Sequence, residues 1–157
     1  FELDIDWGDY PYVTSSHCTV GSAILNGVPP QKIRNVYGVA KVYRTYVGAK
    51  EFEEPSEIFD KIRELGGEYG ATTGRKRQIA WLDMDMLVKS IFINGVNILI
   101  FNKIDILEDI GVFKYIVNGK FIEPKNINDF ETFVKYYISM KCPSIEDVYF
   151  SKSPYNI

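Results

Sequence analysis

Five residues, Asn97-Ile98-Leu99-Ile100-Phe101, form a short apolar run between Asn94-Gly95 and Asn102, and no other feature of the chain limits its fold as much. A continuous, non-alternating run of this length reads as a strand buried on both faces, the habit of parallel sheets. Parallel neighbours cannot be joined by a tight turn, so helices must carry the chain from strand to strand. The sequence provides them. Pro55-Ser56 opens a predicted helix with Ile58, Phe59, Ile62 and Leu65 on one face and Gly66-Gly67 at its end. Asp83 caps a second with Leu87, Val88 and Ile91, and Phe130, Phe133, Val134, Tyr137 and Ile138 line a third. The β-branched and aromatic stretch 39–47 reads as one strand, 148–150 as a last strand, and Pro29-Pro30 with Ile33, Val36 and Tyr37 as the start of a short helix. Asn118-Gly119 between the stretches 113–117 and 120–122 predicts a two-residue type I′ hairpin. The expected fold class is α/β: a mostly parallel sheet with helices on both faces, plus a β-hairpin. No repeat or linker divides the 157 residues, so one domain is expected.

Charge narrows the partners. With a net charge of -3 and a pI near 5.2, the chain has no broad positive field for nucleic acid or an anionic membrane, so any anion site must be local. The apolar runs are too short to cross a bilayer and no signal-peptide pattern is present, so a cytoplasmic protein is expected. Cys18 and Cys142 lie outside any CxxC or Cys/His cluster and read as free thiols; His17 is the single histidine and follows a hydroxyl cluster. Phe1 leads directly into Leu3-Asp4-Ile5-Asp6 without an initiator Met, which reads as a chain entered in the middle.

Three clusters carry chemistry. Strand ends in open α/β sheets are where ligands bind, and Asn102-Lys103-Ile104-Asp105 follows the buried run directly. An Asp carboxylate there can accept two parallel hydrogen bonds, from N1–H and the 2-amino group of guanine, while the Lys stem covers base or ribose. The same four letters also suit an ordinary turn with Lys and Asp in water. The second cluster, Gly70-Ala71-Thr72-Thr73-Gly74-Arg75-Lys76-Arg77, combines glycines that let backbone N–H groups turn inward with hydroxyls and cations. It suits a carboxylate or phosphate, with Arg75 and Arg77 able to fork onto planar oxyanions, or it is a solvated basic loop. The third, Tyr10-Pro11-Tyr12-Val13-Thr14-Ser15-Ser16, sets hydroxyls after a stiff aromatic segment, for a phosphate at Thr14 or as a hydroxyl-rich turn.

In order, Asp4-Ile5-Asp6-Trp7-Gly8-Asp9-Tyr10-Pro11-Tyr12-Val13-Thr14-Ser15-Ser16, Tyr46-Val47-Gly48-Ala49, the loop 70–77 with Trp81-Leu82-Asp83, and Lys103-Ile104-Asp105 resemble adenylosuccinate synthetases, from Leu3 to about Leu107. The resemblance implies the carboxyl-terminal portion of that P-loop-NTPase-like fold and a GTP-dependent ligation of L-aspartate to IMP. O6 of IMP is phosphorylated, and the aspartate amino group then displaces phosphate to give adenylosuccinate. It implies Thr14 on the IMP 5′-phosphate and Val47 with Gly48 beside its ribose. Ala71, Thr72, Thr73, Gly74 and Arg75 match the aspartate loop, with Thr73 and Arg75 on the carboxylates. Arg77 matches an arginine near GTP, Lys103 and Asp105 the guanine-recognition pair, and Ser151-Lys152-Ser153-Pro154 a segment that closes over guanine, with Ser151, Ser153 and Pro154 as its contacts. Expected partners are GTP, IMP and L-aspartate, with Mg²⁺ as cofactor and a homodimer as assembly.

The chain also departs from the family pattern. Trp7, Asp9, Tyr46 and Ser153 stand where the family has His, Thr, Arg and Gly, and Lys76 and Gln78 thin an arginine cluster. The segment between the hairpin and the last helix is short and lacks a Tyr-Glu-x-x-Pro-Gly-Trp stretch, as in a compact member. A phage relative that uses dGMP to make the 2-aminoadenine precursor shares the scaffold, so both acceptors stay open, while Asp105 favours a guanine donor. No Gly-rich phosphate loop occurs among these residues, although the family carries one at its amino end with its catalytic Asp and His. No catalytic and no metal-binding residue is therefore expected within 1–157. The expectation is a fragment that does not turn over alone, with strands such as 97–101 losing neighbours from the other half of the sheet, or else a degenerate scaffold kept for binding or structural work.

Overall fold

A computed structural model describes residues 1–153 and 155. The buried run is strand β4 (Ile98–Asn102), the centre of a three-stranded parallel sheet ordered β1-β4-β7 with β1 (Tyr37–Lys41) and β7 (Asp147–Phe150). It is paired on both sides, contrary to the expectation that it loses neighbours; the edges of this sheet are β1, where Tyr37 and Val39 are exposed, and β7, where Tyr149 is exposed. All three strands run the same way, in a register that sets Lys41 against Asn102 and Phe101 against Phe150. Their carboxyl ends therefore gather at one end of the sheet.

The stretch 39–47 is not one strand. It breaks at Val42 into β1 and β2 (Tyr43–Tyr46), and β2 belongs to a second sheet ordered β2-β3-β5-β6 with β3 (Gln78–Asp83), β5 (Tyr115–Val117) and β6 (Lys120–Ile122). Strand propensity runs through the break because it reports fit to a pleated surface and says nothing of which sheet receives the residues. The helix expected after Pro29-Pro30 is only a 3-10 turn, Pro30–Lys32. Tertiary pairing takes the rest: Val36 N–H donates to Asn97 Oδ1 at 2.8 Å, and Tyr37 already lies in β1. The sequence also gave no warning of α1 (Gly21–Leu25) or α4 (Ile104–Ile110).

The other elements follow the pattern. Helix α2 (Glu57–Gly66) is capped by Ser56, buries Phe59 and Ile62, and ends at Gly67 with φ 62°. The last helix, α5 (Ile127–Lys141), buries Phe130, Val134 and Ile138. Asn118 and Gly119 adopt φ of 49° and 71°, the two left-handed residues a type I′ turn requires. One apolar cluster joins both sheets to the helices, and the parallel sheet is flanked by helices. Helix α3 (Met84–Asn94) starts at Asp83, whose Oδ1 accepts from the N–H of Asp85 and Met86, both at 3.0 Å. Asp83→Ala is expected to cost about 1 kcal/mol by stranding these donors, seen as a lower urea midpoint with unchanged slope; no change in midpoint would show that the cap is dispensable.

Candidate functional site

At the carboxyl end of β4 the chain turns sharply through Lys103, a non-glycine residue at φ 67°, directly into α4. That turn places Asp105 in the first helical turn, half-buried, and its carboxylate accepts no hydrogen bond among the described residues. Asn102 Oδ1, on the last residue of β4, is buried without a donor. Buried polar atoms are nearly always satisfied, so an unsatisfied one on the last residue of β4 stands out. The Lys103 ammonium is not free over this spot: it donates to the Gly66 carbonyl at 2.8 Å, tying the turn to the end of α2.

The adjacent parallel strand β7 leads residues 151–153 to the end of β4. Ser151 N–H donates to Phe101 O at 2.7 Å, the Phe101 and Phe150 rings stack at 4.9 Å, and Lys152 pairs with Glu108 of α4 at 2.7 Å. Ser151 Oγ donates to Ser153 O at 2.6 Å and closes a tight turn. The structure thus holds Ser151 at the end of β4 and Lys152 against α4, the elements that flank Lys103, although nearly fifty residues separate the two segments; Pro154 lies outside the described residues.

A cleft of about 680 Å³ opens nearby, lined among others by Lys41, Tyr43, Thr45, Val47 and Arg77. Arg77 lies against it, while Gly48 is held just outside, its carbonyl accepting from Gln78 Nε2 at 3.3 Å. Under the cleft sits Glu68, 1% exposed, bonded to Lys41, Tyr43 and Arg77. Burial pushes its carboxyl up, but hydrogen bonds from Lys41, Tyr43 and Arg77 and the Lys41 charge outweigh this and hold it below the usual value. Burial and the Glu68 charge push the Tyr43 phenol up, so Tyr43 is the donor of that pair. Sequence reasoning missed Glu68 and Lys41, because no spacing rule links residues on different elements 27 positions apart.

The glycine-rich loop is a turn on the surface. Gly70 N–H donates to Arg75 O at 2.9 Å, Gly74 takes φ 63°, and Ala71, Thr72, Thr73, Gly74 and Arg75 are all exposed. The Arg75 guanidinium has no ion-pair partner among the described residues. The amino-terminal segment folds around Asp4, fully buried, which accepts from the backbone N–H of Asp6, Trp7 and Cys18. Burial pushes the Asp4 carboxyl up, and these three donors more than reverse it. Thr14 is half-buried, its N–H donating to Leu3 O and its hydroxyl 3.5 Å from Ser16 Oγ. It borders neither that cleft nor a second cavity of about 310 Å³. That second cavity gathers three departures from the family pattern, Trp7, Asp9 and Tyr46, with Asp9 paired to Lys50.

Charged and polar groups lie at the carboxyl ends of parallel strands with an open carboxylate there, the place where open α/β sheets bind their ligands. The comparisons give the family. A family model described as adenylosuccinate synthetase matches residues 1–148, and the chain belongs to that family. It is 48% identical over 139 residues to the adenylosuccinate synthetase of Schizosaccharomyces japonicus (83% of this chain, 32% of that one). It is 47% identical over 123 residues to that of Caenorhabditis elegans (75% and 26%). The chain thus spans about a third of the length of the curated relatives it matches. Its fold resembles a fully ligated adenylosuccinate synthetase from Plasmodium falciparum with a TM-score of 0.76 and 28% identity, covering 98% of this chain and 46% of that one. A cyanophage S-2L succinoaminodeoxyadenylate synthetase bound to dGMP and dATP matches at TM-score 0.55 and 22% identity over 87% and 47%, a likeness of fold alone.

The Mg²⁺ that the family implies does not fit these residues. The one cluster of three potential ligands among the described residues is Asp4, Asp6 and His17. Asp4 is consumed by backbone donors and His17 Nδ1 lies 3.2 Å from Asp6, which leaves no open oxygen cage of the kind Mg²⁺ requires. Among the described residues no helix is long and apolar enough to cross a membrane.

Proposed function

We propose that this chain is the carboxyl-terminal part of a GTP-dependent adenylosuccinate synthetase that joins L-aspartate to IMP, and that it holds guanine, aspartate and the IMP phosphate. The observation that carries the proposal is the open Asp105 carboxylate just past the end of β4, a twin acceptor that suits the paired donors of guanine. Thr14, Val47 and Gly48 serve IMP, the turn 71–75 serves aspartate, and Arg77, Lys103, Asp105, Ser151, Ser153 and Pro154 serve GTP. The catalytic groups, the phosphate loop and the Mg²⁺ site lie outside residues 1–157, in line with the third of the relatives' length that the chain covers. In the whole protein the assembly is a homodimer working in the cytoplasm. The direct test is adenylosuccinate formation by the full-length protein from GTP, IMP and aspartate, with dGMP offered as the competing acceptor; turnover with dGMP and none with IMP would overturn the reading.

The aspartate loop has its own test. Arg75 is exposed and free of any acid, so truncation leaves no buried partner behind and reports ligand contact alone. Arg75→Ala is expected to raise the KM for aspartate through loss of about 1.5 to 3 kcal/mol, roughly ten- to a hundredfold, and to leave the KM for GTP nearly unchanged. An unchanged aspartate KM would make the loop a solvated basic turn.

A further inference from the structure

Glu68 is a buried carboxylate with no ligand role assigned above, and each side-chain bond it makes is to a residue that lines the cleft. It follows the left-handed Gly67 at the end of α2, which turns it inward. Oε1 accepts from Lys41 Nζ at 2.8 Å and from the Tyr43 hydroxyl at 2.9 Å; Oε2 accepts from Lys41 Nζ at 2.7 Å and from Arg77 Nη1 at 2.9 Å. Thr45 Oγ1 takes a further Lys41 bond at 3.2 Å, so the three N–H groups of that ammonium are occupied. Arg77 differs. Its guanidinium has five N–H donors and uses one on Glu68, and no other described side chain or carbonyl receives the rest. Its backbone is held as well: the N–H donates to Glu68 O at 3.0 Å and the carbonyl accepts from Arg63 Nε at 2.9 Å. Arg77 is thus a fork fixed at its base and along one edge, bordering the 680 Å³ cleft with its remaining donors unused.

We propose that Glu68 is a positioning residue for the ligase reaction, aiming Arg77 at an oxyanion of a substrate in the cleft, with Lys41 and Tyr43 holding Glu68 in place. The physical reason is preorganisation. A free arginine loses rotamer freedom on every binding event, whereas one already clamped by a buried charge loses little. Lys41 keeps the paired cluster net positive, so the clamp does not cancel the attraction for an anion. The proposal rests on the ligase reading and adds a residue to it.

The test is a double-mutant cycle in the full-length protein that carries this chain, with kcat and the KM for GTP, IMP and aspartate measured for wild type, Glu68→Gln, Arg77→Ala and the double variant. Gln keeps the shape and one acceptor oxygen while removing the charge. Glu68→Gln is expected to raise the same KM that Arg77→Ala raises, by about tenfold, and to add nothing once Arg77 is gone. A role confined to stability would lower Tm while leaving that KM alone, or would multiply with Arg77→Ala; either result overturns the proposal. If Glu68→Gln does not fold because Lys41 is left unpaired, the Lys41→Met, Glu68→Gln pair compared with Lys41→Met carries the same expectation. If the wild type makes no adenylosuccinate, the ligase reading itself fails. The cycle is then read as calorimetric Kd values for GTP, IMP and aspartate, and absence of coupling between positions 68 and 77 overturns the proposal separately.

Discussion

Asp105→Asn in the full-length protein is expected to cut kcat/KM with GTP by about 2 to 5 kcal/mol, since a charged acceptor of two buried hydrogen bonds is replaced by an amide that matches only one. The same change should improve xanthosine triphosphate, whose 2-oxo group accepts the proton that the new amide donates. The structure makes the experiment clean in two respects. The carboxylate bonds to no described residue, so its loss strands no protein donor. Lys103, the neighbouring cation, is anchored on Gly66 rather than on Asp105, so the turn into α4 should survive the substitution. Rates with both donors, measured side by side, decide the matter. Equal losses would remove Asp105 from base recognition, and an exchange of preference would fix it there.

The second large effect is expected in stability, at Glu68. Glu68→Leu would leave Lys41 and Arg77 without their shared counter-charge and Tyr43 without its acceptor, and breaking a buried pair from one side costs about 3 to 5 kcal/mol. Acid should reach the same network without mutation. The folded-state pKa of Glu68 lies below the unfolded value, so its contribution is complete above the unfolded carboxyl pKa of about 4.3 and is lost as pH falls through the folded one. Urea unfolding between pH 7 and pH 3 should therefore show stability falling below about pH 5, with a shallower fall in Lys41→Met, Glu68→Gln, which has no charge at position 68 to titrate. An identical slope in that variant would mean that other carboxylates carry the acid sensitivity.

Where local chemistry decides the structure, the sequence was enough. The Asn118-Gly119 turn, the Ser56 and Asp83 caps, the stops at Gly67 and Gly95 and the buried parallel run all follow from dihedral preferences and periodicity within a few residues. The family, too, was legible, because the motifs at 4–16, 70–77 and 103–105 are contiguous. The break at Val42 was not, since a residue's liking for extended backbone is the same in either sheet and only the packing of Val42 and Tyr43 into the core sends the next strand elsewhere. Helix α4 was missed because its start depends on a left-handed lysine rather than a capping side chain. The Lys41–Glu68–Arg77 cluster could be decided only in three dimensions: parallel pairing of β1, β4 and β7 brings distant strand ends together, and a buried charge finds its partners through that geometry, not through spacing in the chain.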